Sequence, residues 1–404
     1  MNRTVVLMLV GLGLRLFLIF PGPLESKVEF LTNKADLRNY YWPAQAALRG
    51  ENPYALWASG QSGEYRADMA PLELMIYVAA VAVWNDPRAI QILFALFDAL
   101  NIGLLGLVLR ASPLKLPFQV FYALGPLTLY NLVLVPEDKT IVLTLTFLIF
   151  YLLTLSKDYV LRFTSLRFTR VLLIILAAGL LAGFKWLSVF YLLPLLLHVS
   201  PNVRAFVRNG VIFTAVVLLT HLPWIPSWSY VYAFRSARTA TPLHIAPAAL
   251  LNGAGLFNPT VFMVALGAAL IGIYALFWFK RIDIFETIVL CMAVGILWTP
   301  DMDPVHLSIV VIGFLMVVNW TRGIRPFLVW GLSFWVTAVY AVSTHSGFVR
   351  SGWPNLQLVS GEYGSSQMIV LSYALFVAVF AFYVFDKWRA RAVGGALIGA
   401  ELPR

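Results

Sequence analysis

Residues 257–279 read FNPTVFMVALGAALIGIYALFWF and contain no charged side chain. An uninterrupted apolar segment of about 20 residues is long enough for an α-helix to cross a membrane. The basic pair Lys280 and Arg281 follows it directly, which is typical of the cytoplasmic end of such a helix. This stretch therefore predicts a transmembrane helix, and with it an integral membrane protein.

The composition of the whole chain agrees with that prediction. Of 404 residues, 60% are hydrophobic and 12% are charged. Soluble domains are closer to 45–50% apolar and about 25% charged. These values exclude an ordinary soluble enzyme, a disordered chain and a nucleic-acid-binding domain. The single cysteine, Cys291, lies in an apolar run, so no intrachain disulfide can form.

Eleven further apolar runs predict about twelve transmembrane helices in one polytopic domain, residues 1–404. These runs are 4–20, 88–109, 116–135, 140–156, 169–184, 186–199, 209–224, 284–299, 304–320, 326–343 and 366–385. A shorter run, 71–84, is too brief to span comfortably. We expect it to form a re-entrant or half-depth helix, which membranes tolerate only when it packs in protein.

Charged residues orient the predicted bundle. With twelve crossings, most basic residues fall on one side, in the groups Arg3; Arg110 and Lys115; Lys157 to Arg170; Arg204 and Arg208; Lys280 and Arg281; Arg322 and Arg325; and Lys387 to Arg404. Most acidic residues fall on the other side. Because basic residues favour the cytoplasm, both termini are predicted to be cytoplasmic, in the cell membrane. The long outer loops are then 21–70, 225–256 and 344–365, and the net charge of +10 is a topology signal.

The first outer loop contains the most informative segment, residues 36–54. Residues 37–49 have helical character, with Gly50 as terminator and Asp36 at the N-cap position. One interpretation is that the Asp36 carboxylate simply caps this helix, a contribution of about 1 kcal/mol. The other is that Asp36 is a general base at the boundary between water and membrane.

This segment resembles the first outer loop of polytopic GT-C glycosyltransferases. The matching pattern is Asp36, the pair Tyr40-Tyr41, Gly50 and then Pro53-Tyr54. It looks most like glycosyltransferase family 87, the mannosyltransferases that depend on polyprenyl-phosphate mannose. The following segment, 64–72, is similar to a tyrosine-rich stretch ending in Pro in that family, although the family often has a second Pro where this chain has Ala70.

Two weaker similarities lie further along the chain. Residues 299–307 look like the family's Ser-Pro-x-Ser-Trp-x-His-His-Leu box, but only Pro300, His306 and Leu307 match. The segment Gly183-Phe-Lys185-Trp186 is similar to a place where related mannosyltransferases have a lysine. The turn 136–139 departs from the Gly-Gln-x-Asn turn of the family. The resemblance is thus specific over 36–72 and less so over 299–307.

The resemblance implies an all-α, GT-C-like bundle of about twelve transmembrane helices, with short juxtamembrane helices in an outer loop. It implies transfer of a sugar, most simply mannose, from a polyprenyl or dolichyl monophosphate to a lipid- or protein-linked glycan acceptor on the outer face. Asp36 matches the presumed base of the family. Attack on the face opposite the phosphate would invert the anomeric carbon.

A departing phosphate needs positive charge near the outer surface. The cations that the predicted topology places there are Lys185, His306, Arg66, Arg235, Arg238 and Arg350. Each of them has an alternative role as a cation that contacts lipid headgroups.

Acidic residues near the same surface also have two interpretations. Glu137 and Asp138 would bind sugar hydroxyls, assist Asp36 or hold a metal, or they are acids at a helix start. Asp301, Asp303 and His306 suggest a divalent cation site or a simple turn, so metal dependence stays open. Asp98, in the middle of run 88–109, is expected to face the bundle and hydrogen-bond there.

The main competing function is a multi-span transporter or lipid flippase, since twelve spans is common among transporters. The long structured outer loop and the absence of a convincing inverted repeat disfavour it. A non-catalytic scaffold is a third class. In every case the expected surroundings are membrane lipids, and no nucleic acid is expected.

Overall fold

The computed structural model describes most of residues 2–313, in the ranges 2–22, 35–63, 66–110, 112, 114–129, 136, 138–155, 164–224, 227, 243–244, 248, 251–252, 255–298, 301–302, 306, 309–310 and 312–313. The predicted spans 326–343 and 366–385 and the predicted outer loop 344–365 lie outside these residues, as do Arg235, Arg238, Arg350, Glu137 and Asp303.

The described chain is almost entirely α-helical. The helices are α1 (Arg3–Ile19), α2 (Ala35–Leu48), α3 (Pro53–Ala58), α4 (Pro71–Val83), α5 (Arg88–Val108), α6 (Lys115–Leu124), α7 (Pro126–Leu129), α8 (Lys139–Thr154), α9 (Thr164–Lys185), α10 (Leu192–Val199), α11 (Val203–His221), α12 (Pro259–Trp278) and α13 (Ile284–Leu297). Two 3-10 turns accompany them: Leu187–Tyr191 leads into α10, and Leu222–Trp224 extends the end of α11.

Within the described residues, four helices are long and apolar enough to cross a membrane, as expected of an all-α membrane protein. They are Arg88–Val108, Phe168–Lys185, Val203–His221 and Pro259–Trp278. Shorter apolar helices accompany them: Pro71–Val83, Lys139–Thr154, Leu187–Val199 and Ile284–Leu297. The total of about twelve spans stays a prediction.

Two predicted spans are interrupted in the structure. The run 116–135 was expected to be one helix, but α6 ends at Leu124 and a separate short helix begins at Pro126. Proline has no N–H for the helical ladder and clashes with the preceding turn, which explains the break. The run 186–199 is also broken, because a 3-10 turn occupies 187–191 before α10.

The core is formed where α5 packs between α1 and α8, and where α9 packs between α8 and α11. Gly179 and Gly183 lie one turn apart on α9 and face α11. A Cβ atom on Gly179 would come within 2.8 Å of the Val216 side chain, so the small residues allow these two helices to approach closely. This contact holds the end of α9 against α11.

A buried ion pair joins α1 to α5. The Arg15 guanidinium donates through Nε to Asp98 Oδ2 over 2.7 Å, and neither side chain is exposed. Tyr122 and Thr140 donate their hydroxyls to Asp98 Oδ1 at 2.7 and 2.6 Å. The remaining Arg15 nitrogens donate to carbonyls of α1 and of the 122–123 segment. The prediction that Asp98 faces the bundle and hydrogen-bonds there is confirmed.

The short helix α4 packs in protein as the sequence predicted. It spans 13 residues, or roughly 20 Å, which is shorter than the hydrocarbon core of a bilayer. Its buried residues include Glu73, Leu74 and Tyr77, and it packs mainly against α2, α5 and α9. Helix α4 therefore packs one face against the bundle, with its first turn next to the end of α9.

One two-residue parallel pair links distant parts of the chain. Leu243 pairs with Asp301 and His244 pairs with Met302. The pair connects the predicted outer loop 225–256 with the box at 299–307. These two regions, predicted to lie on the same membrane face, are neighbours in the structure.

Candidate functional site

A buried cluster of opposite charges forms where α4, α8 and α9 meet. The Nζ atom of Lys185, the last residue of α9, lies 2.5 Å from Asp138 Oδ2 and 3.2 Å from Glu73 Oε2. The Lys185 side chain is 21% exposed, whereas those of Glu73 and Asp138 are at most 1% exposed. Lys185 is therefore held inside the protein by two carboxylates, which argues against a cation that only reaches out to lipid headgroups.

Lys139 adds a second positive charge to this cluster. Its Nζ atom lies 2.8 Å from Asp138 Oδ1, and both side chains are buried. Burial alone raises the pKa of Asp138, but the ammonium groups of Lys139 and Lys185 outweigh it and hold the pKa well below its usual range. Asp138 therefore stays ionised through the neutral range, and the two lysines keep it so.

Local structure explains how each member reaches the cluster. Pro71 is the first residue of α4, which places Glu73 in its first turn, where the helix dipole favours an acid. Asp138 immediately precedes α8. Trp186 has φ +56°, a left-handed conformation that ends α9 directly after Lys185. The ends of α4, α8 and α9 therefore bring these polar side chains together in the charged cluster.

The start of α8 lies beside the middle of α5. Thr140, two residues after Asp138, donates to Asp98. Asp98 is ten residues from the start of α5 at Arg88, a rise of roughly 15 Å. Charged groups buried in an apolar bundle are costly unless paired, and they mark functional positions by default.

Helix α2, in the predicted first outer loop, is connected to this cluster through aromatic rings. Tyr40 on α2 packs against Tyr77 on α4, with ring centroids 4.9 Å apart, and both rings meet Phe94 on α5. The Tyr77 hydroxyl donates to Glu73 Oε1 over 3.0 Å. A continuous set of contacts therefore runs from α2 through Tyr77 and Glu73 to Lys185.

Asp36 occupies a different helix position from the one expected. Helix α2 begins at Ala35, so Asp36 is in the first turn rather than at the N-cap. It precedes Tyr40 by four residues, which is about one helical turn. The Asp36 side chain lies outside the described residues. The expected end of the helix is confirmed, because α2 ends at Leu48 and Gly50 has φ +78°.

The spacing of Tyr40, Ala44, Ala47 and Leu48 predicts that they share one face of α2, and this prediction is only partly correct. Ala44 is buried and Tyr40 packs on α4, but Leu48 is 44% exposed. Leu37 and Ala46 are buried as well.

The loop after α2 is also well anchored. Asn52 caps α3 and its side-chain amide donates to Ser227 Oγ over 2.7 Å. The Tyr54 hydroxyl donates to the Met69 carbonyl.

The structure describes three further predicted site residues at least in part: Arg66, His306 and Asp301. Arg66 is half-buried, and its backbone N–H points to the Asn39 side chain on α2. His306 is partly buried within a single 3-10 turn. The Asp301 side chain lies outside the described residues, although its backbone pairs with Leu243. In the part of the chain that the structure describes, no three His, Cys, Asp or Glu side chains converge as metal ligands would.

Sequence reasoning missed three of the charged residues that matter here: Glu73, Lys139 and Arg15. Two of them, Glu73 and Arg15, have an available signal, because an ionisable residue inside an apolar run must find a partner. Glu73 lies in the apolar run 71–84, and Arg15 lies in the run 4–20. Their partners are distant in sequence, so the pairing itself follows only from the packing of the helices.

No protein-family model matches the chain, and no curated protein does.

Proposed function

We propose that this protein is a membrane glycosyltransferase, most simply a mannosyltransferase, that takes its sugar from a polyprenyl or dolichyl monophosphate. The observation that carries the proposal is the contact of α2 with α4, through Tyr40 and Tyr77, next to the Glu73–Lys185 pair. This contact supports the proposal because it joins the segment with the strongest family resemblance to a buried cation that suits a phosphate.

The proposed reaction is a single displacement on the outer face. A hydroxyl oxygen of the glycan or glycolipid acceptor forms a bond to the anomeric carbon, and the bond from that carbon to the phosphate oxygen breaks. Asp36 takes the hydroxyl proton. The electron pair of the broken bond stays on the phosphate, where Lys185 stabilises the growing charge. The sugar phosphate brings its own leaving group, so the chain needs to supply only a base and a cation.

Transfer of labelled sugar tests this function directly. The purified protein in lipid nanodiscs would receive polyprenyl-phosphate mannose with a radiolabelled sugar, together with lipid and glycan extracts of the cell that carries the chain. We expect label to move from the donor to a new product. Asp36→Asn should reduce the rate by about 100-fold or more, the scale of general-base assistance.

The matched control for Asp36→Asn is Glu51→Gln. Glu51 lies in the same loop and forms an exposed ion pair with Arg49 over 2.7 Å. Exposed pairs contribute little to stability, so this change should leave both folding and transfer intact. Equal rates for the Asp36→Asn variant and the wild type would remove Asp36 from the mechanism.

A transporter or lipid flippase is the second candidate. The observation that favours it is the buried Glu73–Lys185–Asp138 cluster, since ionisable groups inside membrane bundles also line substrate and proton pathways. Vesicles that contain the protein distinguish the two functions. Movement of polyprenyl-phosphate mannose between leaflets, with no transfer to any acceptor in the extract, would favour the flippase.

A further inference from the structure

An apolar stripe on the protein surface begins at the residue after Lys185. Its members are the side chains of Trp186, Val189, Leu193 and Leu197, which are 41%, 41%, 44% and 40% exposed. Their spacing of three, four and four residues places them on one side of the 3-10 turn and of α10. A continuous apolar surface therefore leads away from Lys185 along α10.

The stripe leads from the outer face toward the middle of the membrane in the predicted topology, because run 186–199 is predicted to pass inward from that face. The rise of the 3-10 turn and of α10 gives a length of roughly 20 Å from Trp186 to Leu197, compared with about 30 Å for the hydrocarbon core of a bilayer. The opposite side of the same segment, which includes Ser188, Tyr191 and Leu195, is buried in the bundle. The stripe is thus a fixed surface on a packed segment.

Trp186 begins the stripe in an unusual backbone conformation. Its φ is +56° and its ψ is −5°, in the left-handed region that bulky side chains rarely occupy and that glycine usually fills after a helix. The indole ring lies edge-to-face against the His221 ring, with centroids 6.0 Å apart. The chain therefore keeps an exposed aromatic ring directly after Lys185 at a conformational cost. Strained residues of this kind cluster at binding sites.

We propose that this stripe binds the isoprenoid chain of a lipid phosphate whose phosphate group lies at Lys185, with Trp186 packed against the first part of the chain. The identity of the headgroup rests on the proposed function. A polyprenyl phosphate joins an anion directly to one apolar chain, and this surface joins a cation directly to one apolar stripe. In a phospholipid of the bilayer, a glycerol unit separates the phosphate from two chains, which fits a single stripe less well.

Binding of two probes that differ in chain length tests the proposal. Dimethylallyl phosphate has one isoprene unit and geranylgeranyl phosphate has four, and each would be added to the purified full chain in lipid nanodiscs. Leu193→Ala should weaken the binding of the long probe by roughly three- to tenfold and leave the short probe unchanged, because only the long chain reaches Leu193. Partitioning of a probe into the bilayer is the same for every variant, so affinities are compared as ratios to the wild type.

Trp186 is tested by a pair of variants. Trp186→Gly relieves the left-handed conformation but removes the ring, so both probes should bind more weakly while the protein stays folded. Trp186→Phe keeps a ring and should restore most of the affinity.

Two matched controls come from α12. Leu276 is 45% exposed, close to the value for Leu193, and Lys280 has φ +54° just after the helix, close to the value for Trp186. Leu276→Ala and Lys280→Gly should leave both affinities unchanged.

Photo-crosslinking of the wild type gives a second measurement that needs no variant. A geranylgeranyl phosphate with a diazirine at the chain end should label residues 189–197, and excess unlabelled geranylgeranyl phosphate should prevent the labelling. Labelling that spreads over the exposed faces of α11 and α12, or that the unlabelled lipid does not prevent, would show contact with bulk lipid only and would overturn the proposal.

The outcomes separate this proposal from the proposed function. Equal weakening of the short and long probes by Leu193→Ala, or no weakening of either, overturns the stripe as a chain-binding surface and leaves sugar transfer to be judged by its own assay. Selective binding of the long chain without any sugar transfer supports the stripe and contradicts the transferase. Failure of the folded protein to bind either probe overturns both.

Discussion

Arg15, four residues before the end of α1, and Asp98, in the middle of α5, form an ion pair of 2.7 Å with no exposure to solvent. Asp98 also accepts hydrogen bonds from hydroxyl groups on α6 and α8, so a single carboxylate connects four helices. Every nitrogen of the guanidinium has an acceptor. This arrangement fixes the start of α8, next to Asp138 and Lys139 of the charged cluster, against α1, α5 and α6.

The first prediction concerns this pair. Asp98→Leu should lower the free energy of unfolding by about 3–5 kcal/mol, because it leaves the Arg15 charge buried without its partner. The double change Arg15→Met with Asp98→Leu should recover much of that loss, since it removes both charges and keeps apolar volume. Thermal unfolding of the purified protein in detergent measures both. A double variant no more stable than the single one would show that the hydroxyl contacts of Asp98, rather than its charge, hold the helices.

The second prediction concerns Lys185 in the transfer reaction. A cation that stabilises the leaving phosphate acts most strongly in the transition state. Lys185→Ala should therefore reduce kcat as well as donor affinity. Steady-state kinetics with varied donor separate the two. Lys115→Ala at the start of α6 is the control for the loss of one lysine and should change neither value. A change in affinity alone would make Lys185 a binding residue only.

The third prediction concerns the close packing of α9 on α11. Gly179→Ala would place a Cβ atom 2.8 Å from Val216, so we expect a loss of about 1–3 kcal/mol as the helices separate. Gly267→Ala on α12 is the matched control. Its Cβ would meet no atom within 4 Å, and alanine favours a helix over glycine. The control should be neutral or slightly stabilising in the same thermal measurement, and equal losses in both variants would contradict the packing argument.

The fourth prediction concerns topology. In a Cys291→Ala background, single cysteines at Gln61 and Asp303 should both react with a membrane-impermeant thiol reagent added to intact cells, whereas a cysteine at Arg110 should react only after the membrane is opened. Gln61 is exposed, and it avoids the positive φ of the adjacent Gly60. Protection of one outer site with access to the other would contradict the predicted orientation.

The sequence by itself determined the class of this protein. Long uncharged runs such as 257–279 favour membrane-spanning helices. Inside a bilayer, backbone N–H and C=O groups must be hydrogen-bonded within their own segment, and a helix achieves this. The end of α2 before Gly50 and the length of α4, which is too short for a full crossing, also follow from local sequence. These features depend on near neighbours along the chain, and hydropathy and turn chemistry describe such neighbours well.

Only the tertiary structure decided which charges meet. Glu73, Asp138 and Lys185 are separated by many residues, and their pairing depends on how three helix ends are packed. The same holds for Arg15 and Asp98, which are 83 positions apart. A charged residue within an apolar segment indicates from the sequence alone that a partner is needed. In the low dielectric of the bundle, the interaction is strong with whichever partner the packing brings near. The identity of that partner is therefore a property of the fold, and the chemistry proposed for Lys185 depends on it.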